Sequence, residues 1–456
     1  MSVTPFESVM TTAHRRIDRT ESSVQTSLEW FLILPLIFVA VRGVFSFEIG
    51  PELAQPASEF GSRSLGFVGY VLIPGIAYSI VLWSIISRFG DVMYLCRRLK
   101  LLTALSVFCI FSAVWSQAPG RSALHGILYL VGTLFAYSLV ARFTAEDIMR
   151  LITRTGTVIA VLNLMLIVIV PRVGTIIQDG TRWRGLFPAS TGMAQCLAFL
   201  LTPALIPAYG RWTWKRIAYI GVLSFSILMT HTATAPVALL LYVILMLSLG
   251  FLRRLDGRAL LAFVIALVVP LGTVLIAFQA QIADFALTIL GRDPTLTGRT
   301  TIWKLLTYPI AMHPLLGYGF YAFWLGRKGA SANVLAAAHW DFGFAHNGYL
   351  EIVLQLGFVG LAFFAITYFD ALRYARLATT KRTNSGIDWY VGLLMMVLVY
   401  NLDEAAVLWP NDLLSILYIV ACAGLMRAAI ETIDQPSVVA EQMPHVHVAV
   451  ASRSAC

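Results

Sequence analysis

Charge is scarce in this sequence. Asp, Glu, Lys and Arg make up 12% of the residues against 58% hydrophobic, and the mean hydropathy is +0.78. A soluble enzyme of this length needs far more polar surface, so the composition excludes one and implies an integral membrane protein. Cysteine is sparse too: Cys96, Cys109, Cys196, Cys422 and Cys456 show no paired spacing, which argues against a disulfide framework or a metal knot. Also missing are a phosphate-binding loop, an outward Asp-x-Asp metal pair and a convincing internal repeat, the last counting against the commonest transporter architectures. The first 28 residues are polar and the first apolar run is long enough to span, so no cleavable signal peptide is expected.

What is present is apolar sequence in long runs. They predict an all-α, polytopic membrane protein with about twelve transmembrane helices, at 29–46, 66–87, 101–116, 122–142, 151–170, 189–208, 216–231, 233–252, 259–280, 347–370, 388–402 and 412–430. Runs such as Ala259 to Phe278 lack the period-two alternation of barrel strands. The transmembrane bundle is thus expected over 29–430, between a tail at 1–28 and a disordered tail at 431–456, both cytoplasmic. In the second tail, His445 and His447 read as flexible chain rather than a metal site.

A net charge of +9 invites a nucleic-acid partner, but the positions of the cations point elsewhere. Arg15, Arg16, Arg19, Arg88, Arg97, Arg98, Lys100, Arg253, Arg254, Arg373, Arg376, Lys381 and Arg382 fall on the inner side, whereas the short outer loops carry Arg63, Arg121, Arg172, Arg182 and Arg184. This is the positive-inside pattern. The basicity therefore reports topology in a lipid bilayer, and no nucleic acid is expected. Arg42 and Arg154, within or beside spans, are expected to snorkel or pair internally.

Residues 281–346 form the one long outer loop. It holds Trp303, Tyr308, Tyr318, Phe320, Tyr321, Phe323, Trp324, Trp340, Phe342 and Phe344, too many aromatics for a disordered linker. The loop should fold on the membrane surface or over a cavity, with an interfacial aromatic belt as the alternative. Arg299 lies in it, and Arg182 and Arg184 lie in the outer loop before the sixth span. Guanidinium suits phosphate through its planar fork and permanent charge; a headgroup contact or a structural ion pair is the plainer reading.

His346 stands at the mouth of the tenth span, with Asn347 as its expected N-cap. By helical count Gly357 lies beneath His346, and Gly360 about 40° away, so a neighbouring helix is expected to approach there. A histidine at a positive helix terminus beside arginines is in a setting that suits a general base. Asp403 and Glu404 are read first as solvated groups beyond a short span. Pairing with Arg299 or Arg184, or support of the histidine, are the alternatives.

Together, His346-Asn347 followed after nine residues by Gly357-x-x-Gly360, Gly298-Arg299 to Trp303, His313 to Gly319, Arg184 to Phe187, and Trp115-Ser116 to Ser122 resemble the O-antigen ligase and Wzy-type polysaccharide polymerase superfamily. The likeness covers roughly 100–425 and is nearest to ExoQ-like exopolysaccharide polymerization proteins. It implies a GT-C-like fold and metal-independent, inverting glycosyl transfer at the periplasmic face of the bacterial inner membrane, without a cofactor. The implied donor is an oligosaccharide on undecaprenyl pyrophosphate and the implied acceptor a growing polysaccharide. Arg184 and Arg299 would hold the pyrophosphate, with Arg182 beside them, and His346 would take the acceptor proton. Trp303 and Trp324 would stack on sugars, and Tyr318, Asn347 and Tyr349 would supply polar contacts. A flippase and chain-length or export proteins are the implied partners. Ile310, eleven residues after Arg299, breaks the arginine-x10-glycine form of some polymerases, so polymerase and ligase both stay open. A flippase for the same lipid-linked sugar is the reading from another class.

Overall fold

Helix boundaries in this chain follow local chemistry more than the edges of its apolar runs. The computed structural model describes residues 30–41, 72–176, 182–207, 210–252, 299–339, 342–378 and 385–434. In chain order the longer helices are α1 Trp30–Ala40, α2 Ile73–Ile86, α3 Phe89–Arg98, α4 Lys100–Phe111, α5 Pro119–Arg142, α6 Ala145–Ile169, α7 Ser190–Leu201, α8 Trp214–Leu228 and α9 Thr234–Leu252. They continue with α10 Arg299–Met312, α11 Gly329–Ala338, α12 Gly348–Ala378, α13 Ser385–Asn401 and α14 Leu413–Asp434. A two-residue ribbon pairs β1 Thr175–Ile176 antiparallel with β2 Arg182–Trp183.

Helix α6 starts ahead of the expected 151 because Thr144 and Asp147 close a capping box. Helix α5 opens on Pro119, whose missing N–H would have had no helical partner there anyway. The span expected at 66–87 is described only from residue 72; after Ile86 the chain bends by 78° into α3, which carries Arg97 and Arg98 in its last turn. Four described helices are long and apolar enough to cross a membrane: α5, α6, α12 and, over Leu413–Thr432, α14; α2 and α3 make a fifth if counted as one bent span. The span expected at 259–280 lies outside the described residues, as do the tail at 1–28, residues 435–456, Arg42, and residues 281–298, 340 and 341 of the long loop. The stretch expected to be a disordered tail from 431 instead begins as the end of α14, which runs to Asp434.

The described bundle is a helical membrane core. Helix α14 packs against α5, α12 and α13, and α4 lies along α5. Large side chains such as Trp389, Tyr137, Tyr242, Tyr400 and Tyr418 are fully buried. Several of its interior polar groups pair across helices: Ser106 and Thr133 hydroxyls at 2.9 Å, Thr367 and Tyr418 at 2.9 Å, and the Trp389 indole on the Thr202 hydroxyl at 2.9 Å. Such pairings join helices where no water is available. Arg154 lies over the Trp30 ring at 5.6 Å, an internal pairing.

The long loop is not simply a loop. Helices α10 and α11 lie within it and build a second, small core from Ile302, Leu306, Phe323, Val334, Ala345 and Leu354. The last of these belongs to α12, so the loop domain is seated on that helix.

Candidate functional site

The site begins at a break. Gly357 has φ +66° and ψ −169°, which interrupts α12 after its first turns. The backbone groups freed by the break must find partners, since a buried amide without one costs about 1–3 kcal/mol. The segment His313–Gly319 supplies them. Phe358 and Val359 N–H donate to the carbonyls of Pro314 (2.8 Å) and Leu315 (3.2 Å), and Tyr318 and Gly319 N–H donate to Leu354 and Gln355 carbonyls (both 2.9 Å). A Cβ on Gly357 would stand 2.1 Å from the Leu315 carbonyl oxygen, and one on Gly317 2.6 Å from the Gln355 backbone. This corrects the helical count made from His346. The close neighbour at Gly357 is a strap of successive turns, not another helix, and the helix does not run on through it.

The strap is gripped from its other side by the α4–α5 junction. Trp115 donates its indole N–H to Leu316 O (2.9 Å), and Gln117 N–H donates to Tyr318 O (3.2 Å). The Gln117 amide also donates to Ala322 O (2.6 Å) and Phe323 O (3.1 Å) and accepts from Ala330 N–H. Ser112 and Ser122 hold the two backbone groups of Phe320.

At the start of α12 the ionisable groups converge. Asn347 caps the helix: its Oδ1 accepts from Tyr349 N–H at 3.0 Å and Leu350 N–H at 3.1 Å. His346, just before it, takes a left-handed φ of +48° that few non-glycine residues adopt. Its Nδ1 lies 3.3 Å from Glu404 Oε1, which also receives Arg299 Nη2 at 3.0 Å. Arg299 further pairs with Asp403, and Asp403 accepts from the Thr234 hydroxyl. The solvated reading of the two carboxylates is therefore overturned. The Glu404 side chain is 9% exposed, because the turn after α13 folds inward, pinned by Asn401 Oδ1 on Ala406 N–H at 2.9 Å. Glu404 is placed to accept from Nδ1–H and so to orient the ring, the contact that an oriented general base needs.

One further acid of the site, Glu351, was given no role from the sequence. Glu351, buried in the first turn of α12, accepts from the Trp324 indole (3.0 Å to each oxygen), from Ala345 N–H (2.9 Å) and from the Gln355 amide (2.7 Å). The Trp303 indole takes Ala345 O at 3.0 Å. Both peptide groups flanking Ala345 are thus tied down next to His346. Trp303 and Trp324 sit in the second core with their indole N–H groups engaged. The hydroxyls of Tyr318 and Tyr349 donate to Pro309 O and Leu398 O, both at 3.1 Å. A lone glutamate at the head of an apolar helix, Glu351 before Ile352-Val353-Leu354, is the sequence signal that could have found it.

Arg182 and Arg184 lie on and beside β2. Arg184 Nε donates to Val173 O at 2.7 Å, and Leu186 N–H donates to Asn163, a buried amide of α6. Trp183 N–H reaches Met229 O at 2.9 Å, at the turn that leads to Thr234 and so to Asp403. The ribbon therefore shares one end of the bundle with Arg299 and His346. Among the described residues, no hydrogen bond or ion pair joins Arg184 to either.

Residues 218–365 match the family model Wzy_C, described as O-antigen ligase. The exopolysaccharide production protein ExoQ of Rhizobium meliloti (strain 1021) is 27% identical over 314 residues, spanning 64% of this chain and 70% of that protein. The chain is thus similar to the O-antigen ligase and Wzy-type superfamily and, within it, to ExoQ. The matched stretch contains Arg299, His346, Gly357 and Gly360 and stops short of Glu404.

Proposed function

We propose that this protein is a membrane glycosyltransferase that joins lipid-linked oligosaccharide repeats into exopolysaccharide, acting on undecaprenyl pyrophosphate donors at the periplasmic face of the inner membrane. The observation that carries the proposal is the Arg299–Glu404–His346 array at the capped end of a broken membrane helix. Such transfer needs three things: a base for the acceptor hydroxyl, cations for the leaving pyrophosphate, and a site at the membrane surface.

In the proposed reaction the acceptor oxygen attacks the anomeric carbon from the face opposite the pyrophosphate. The anomeric C–O bond breaks, and its electron pair leaves on the pyrophosphate oxygen. The hydroxyl proton passes to Nε2 of His346, whose ring Glu404 orients through Nδ1. Arg299 and Arg184 stabilise the charge that develops on the leaving group. Asp403 is the more exposed of Arg299's two carboxylates, at 32% against 9%, and is the one a pyrophosphate would displace. A GT-C-like bundle of about twelve spans fits this reading.

Replacing His346 by alanine tests it. In membranes with normal insertion, polymer of high molecular weight should fall about 10²- to 10⁴-fold while single lipid-linked repeats still accumulate on the outer leaflet. Glu404→Gln should lower the rate with little change in donor affinity. Polymer at wild-type level in His346→Ala sinks the proposal. The family description favours one second reading, transfer of a finished glycan to a lipid acceptor. The same assay would then show loss of a glycan-modified lipid with chain length unchanged.

A further inference from the structure

Beside the Arg299–Glu404–His346 array runs a row of aromatic rings that the reaction above leaves without a task. Tyr321 adopts a left-handed φ of +58°, with its N–H held by Gln355 Oε1 at 2.9 Å. That turn lays its ring against α5. The His125 ring stacks on it at 4.1 Å and 18°, and the Arg121 guanidinium lies 5.3 Å above it. The edge of Tyr321 meets Trp409 at 5.1 Å, Trp409 meets Phe344 at 6.5 Å, and Phe344 meets the His346 ring at 4.0 Å. All six side chains are half-buried, so each keeps accessible surface.

The cation at the far end of the row differs from Arg299. Arg299 is matched by two carboxylates, whereas among the described residues no carboxylate pairs with Arg121. Its Nε is buried without a hydrogen-bond partner there. Arg121 also sits in the first turn of α5, where the helix dipole adds positive potential. A guanidinium held by stacking in that place is electrostatically incomplete until an anion reaches it. A row of ring faces and edges, for its part, suits the C–H faces of pyranoses.

We propose that Arg121 and the Tyr321–Trp409–Phe344 row form a subsite for the acceptor glycan, taking a sugar that bears a carboxylate and leading its hydroxyl toward His346. The proposal rests on the glycosyl-transfer reading for its purpose, but binding can be measured without turnover.

Full-length protein in lipid nanodiscs, as wild type and as His346→Ala, is titrated with tetragalacturonate and with neutral maltotetraose, following heat or tryptophan fluorescence. Both forms should prefer the acidic probe. Arg121→Gln should weaken tetragalacturonate about 10-fold or more and leave maltotetraose unchanged. Arg121→Lys should recover part of the loss, which separates lost charge from lost fold, and Trp409→Ala should weaken both probes. Equal affinity of wild type for the two probes overturns the subsite, and so does a preference that survives Arg121→Gln. Displacement of tetragalacturonate by inorganic pyrophosphate at similar concentration also overturns it, by making Arg121 a third phosphate ligand. Polymer unchanged by His346→Ala would remove the transfer reading while leaving these binding results to stand or fall alone.

Discussion

The helical bundle and the small second core are held by different means. Within α13 and α14, side chains such as Leu393, Met396, Leu417 and Ala421 are almost wholly buried, and the helices satisfy their own backbones. The second core is much smaller, six buried residues with partly buried rings such as Trp303 and Trp324 around them. It is seated instead by single polar groups reaching backbone: Gln117, Ser112, Ser122, Glu351, Gln355 and the strap itself. Packing resists unfolding but leaves position loosely set, whereas directed hydrogen bonds fix position at modest stability. Damage to the bundle should therefore appear as lost protein, and damage to the loop domain as lost activity per folded molecule.

Four substitutions test that contrast, from the largest effect down. Gly357→Ala puts a side chain at positive φ and within 2.1 Å of Leu315 O, at the joint between the two regions. It should cost upwards of about 3 kcal/mol and lose both folding and activity, read by yield and thermal melting in detergent. Leu417→Ala in the bundle should cost about 2–5 kcal/mol in melting while transfer per folded molecule stays at wild-type level. Glu351→Ala should do the reverse. Melting should fall less than in Leu417→Ala, by about 1–3 kcal/mol for the donors left without an acceptor, but with Ala345 and Trp324 released, transfer should fall on the order of 100-fold. An equal loss of melting temperature in Glu351→Ala and Leu417→Ala would end the distinction. Smallest is Asn347→Ala, which removes a helix cap worth about 1 kcal/mol and should slow transfer less than tenfold.

Much of the helical content was legible because apolar runs of span length have one main solution in lipid. The ends were less so. Thr144, Pro119 and the turn after Ile86 set boundaries through local capping and bending that hydropathy does not register. In the site, Asn347 before an apolar run was readable as a cap. Gly357 was misjudged because counting 100° per residue assumes an unbroken helix, and its positive φ is decided by the strap. Asp403 and Glu404 looked solvated because a short span seemed to end before them. Glu404 is buried by the turn that Asn401 pins, and both carboxylates are paired by Arg299, which lies in another segment of the chain. Trp303 and Trp324 had the right chemistry for sugar stacking, and only the fold reveals that their indole N–H groups are already spoken for.

The broken helix also limits how this protein can be recombined with its relatives. The strap at 313–319, the first turns of α12 through Val359, and the junction at 112–122 exchange backbone and side-chain hydrogen bonds as a single unit. A chimera that transplants the long loop alone, cut at 345 or 347, would separate donors from their acceptors on both sides. The smallest block that can be exchanged intact runs from Arg299 past Gly360 and brings residues 112–122 with it. Substrate range in such hybrids should follow that discontinuous block rather than the loop.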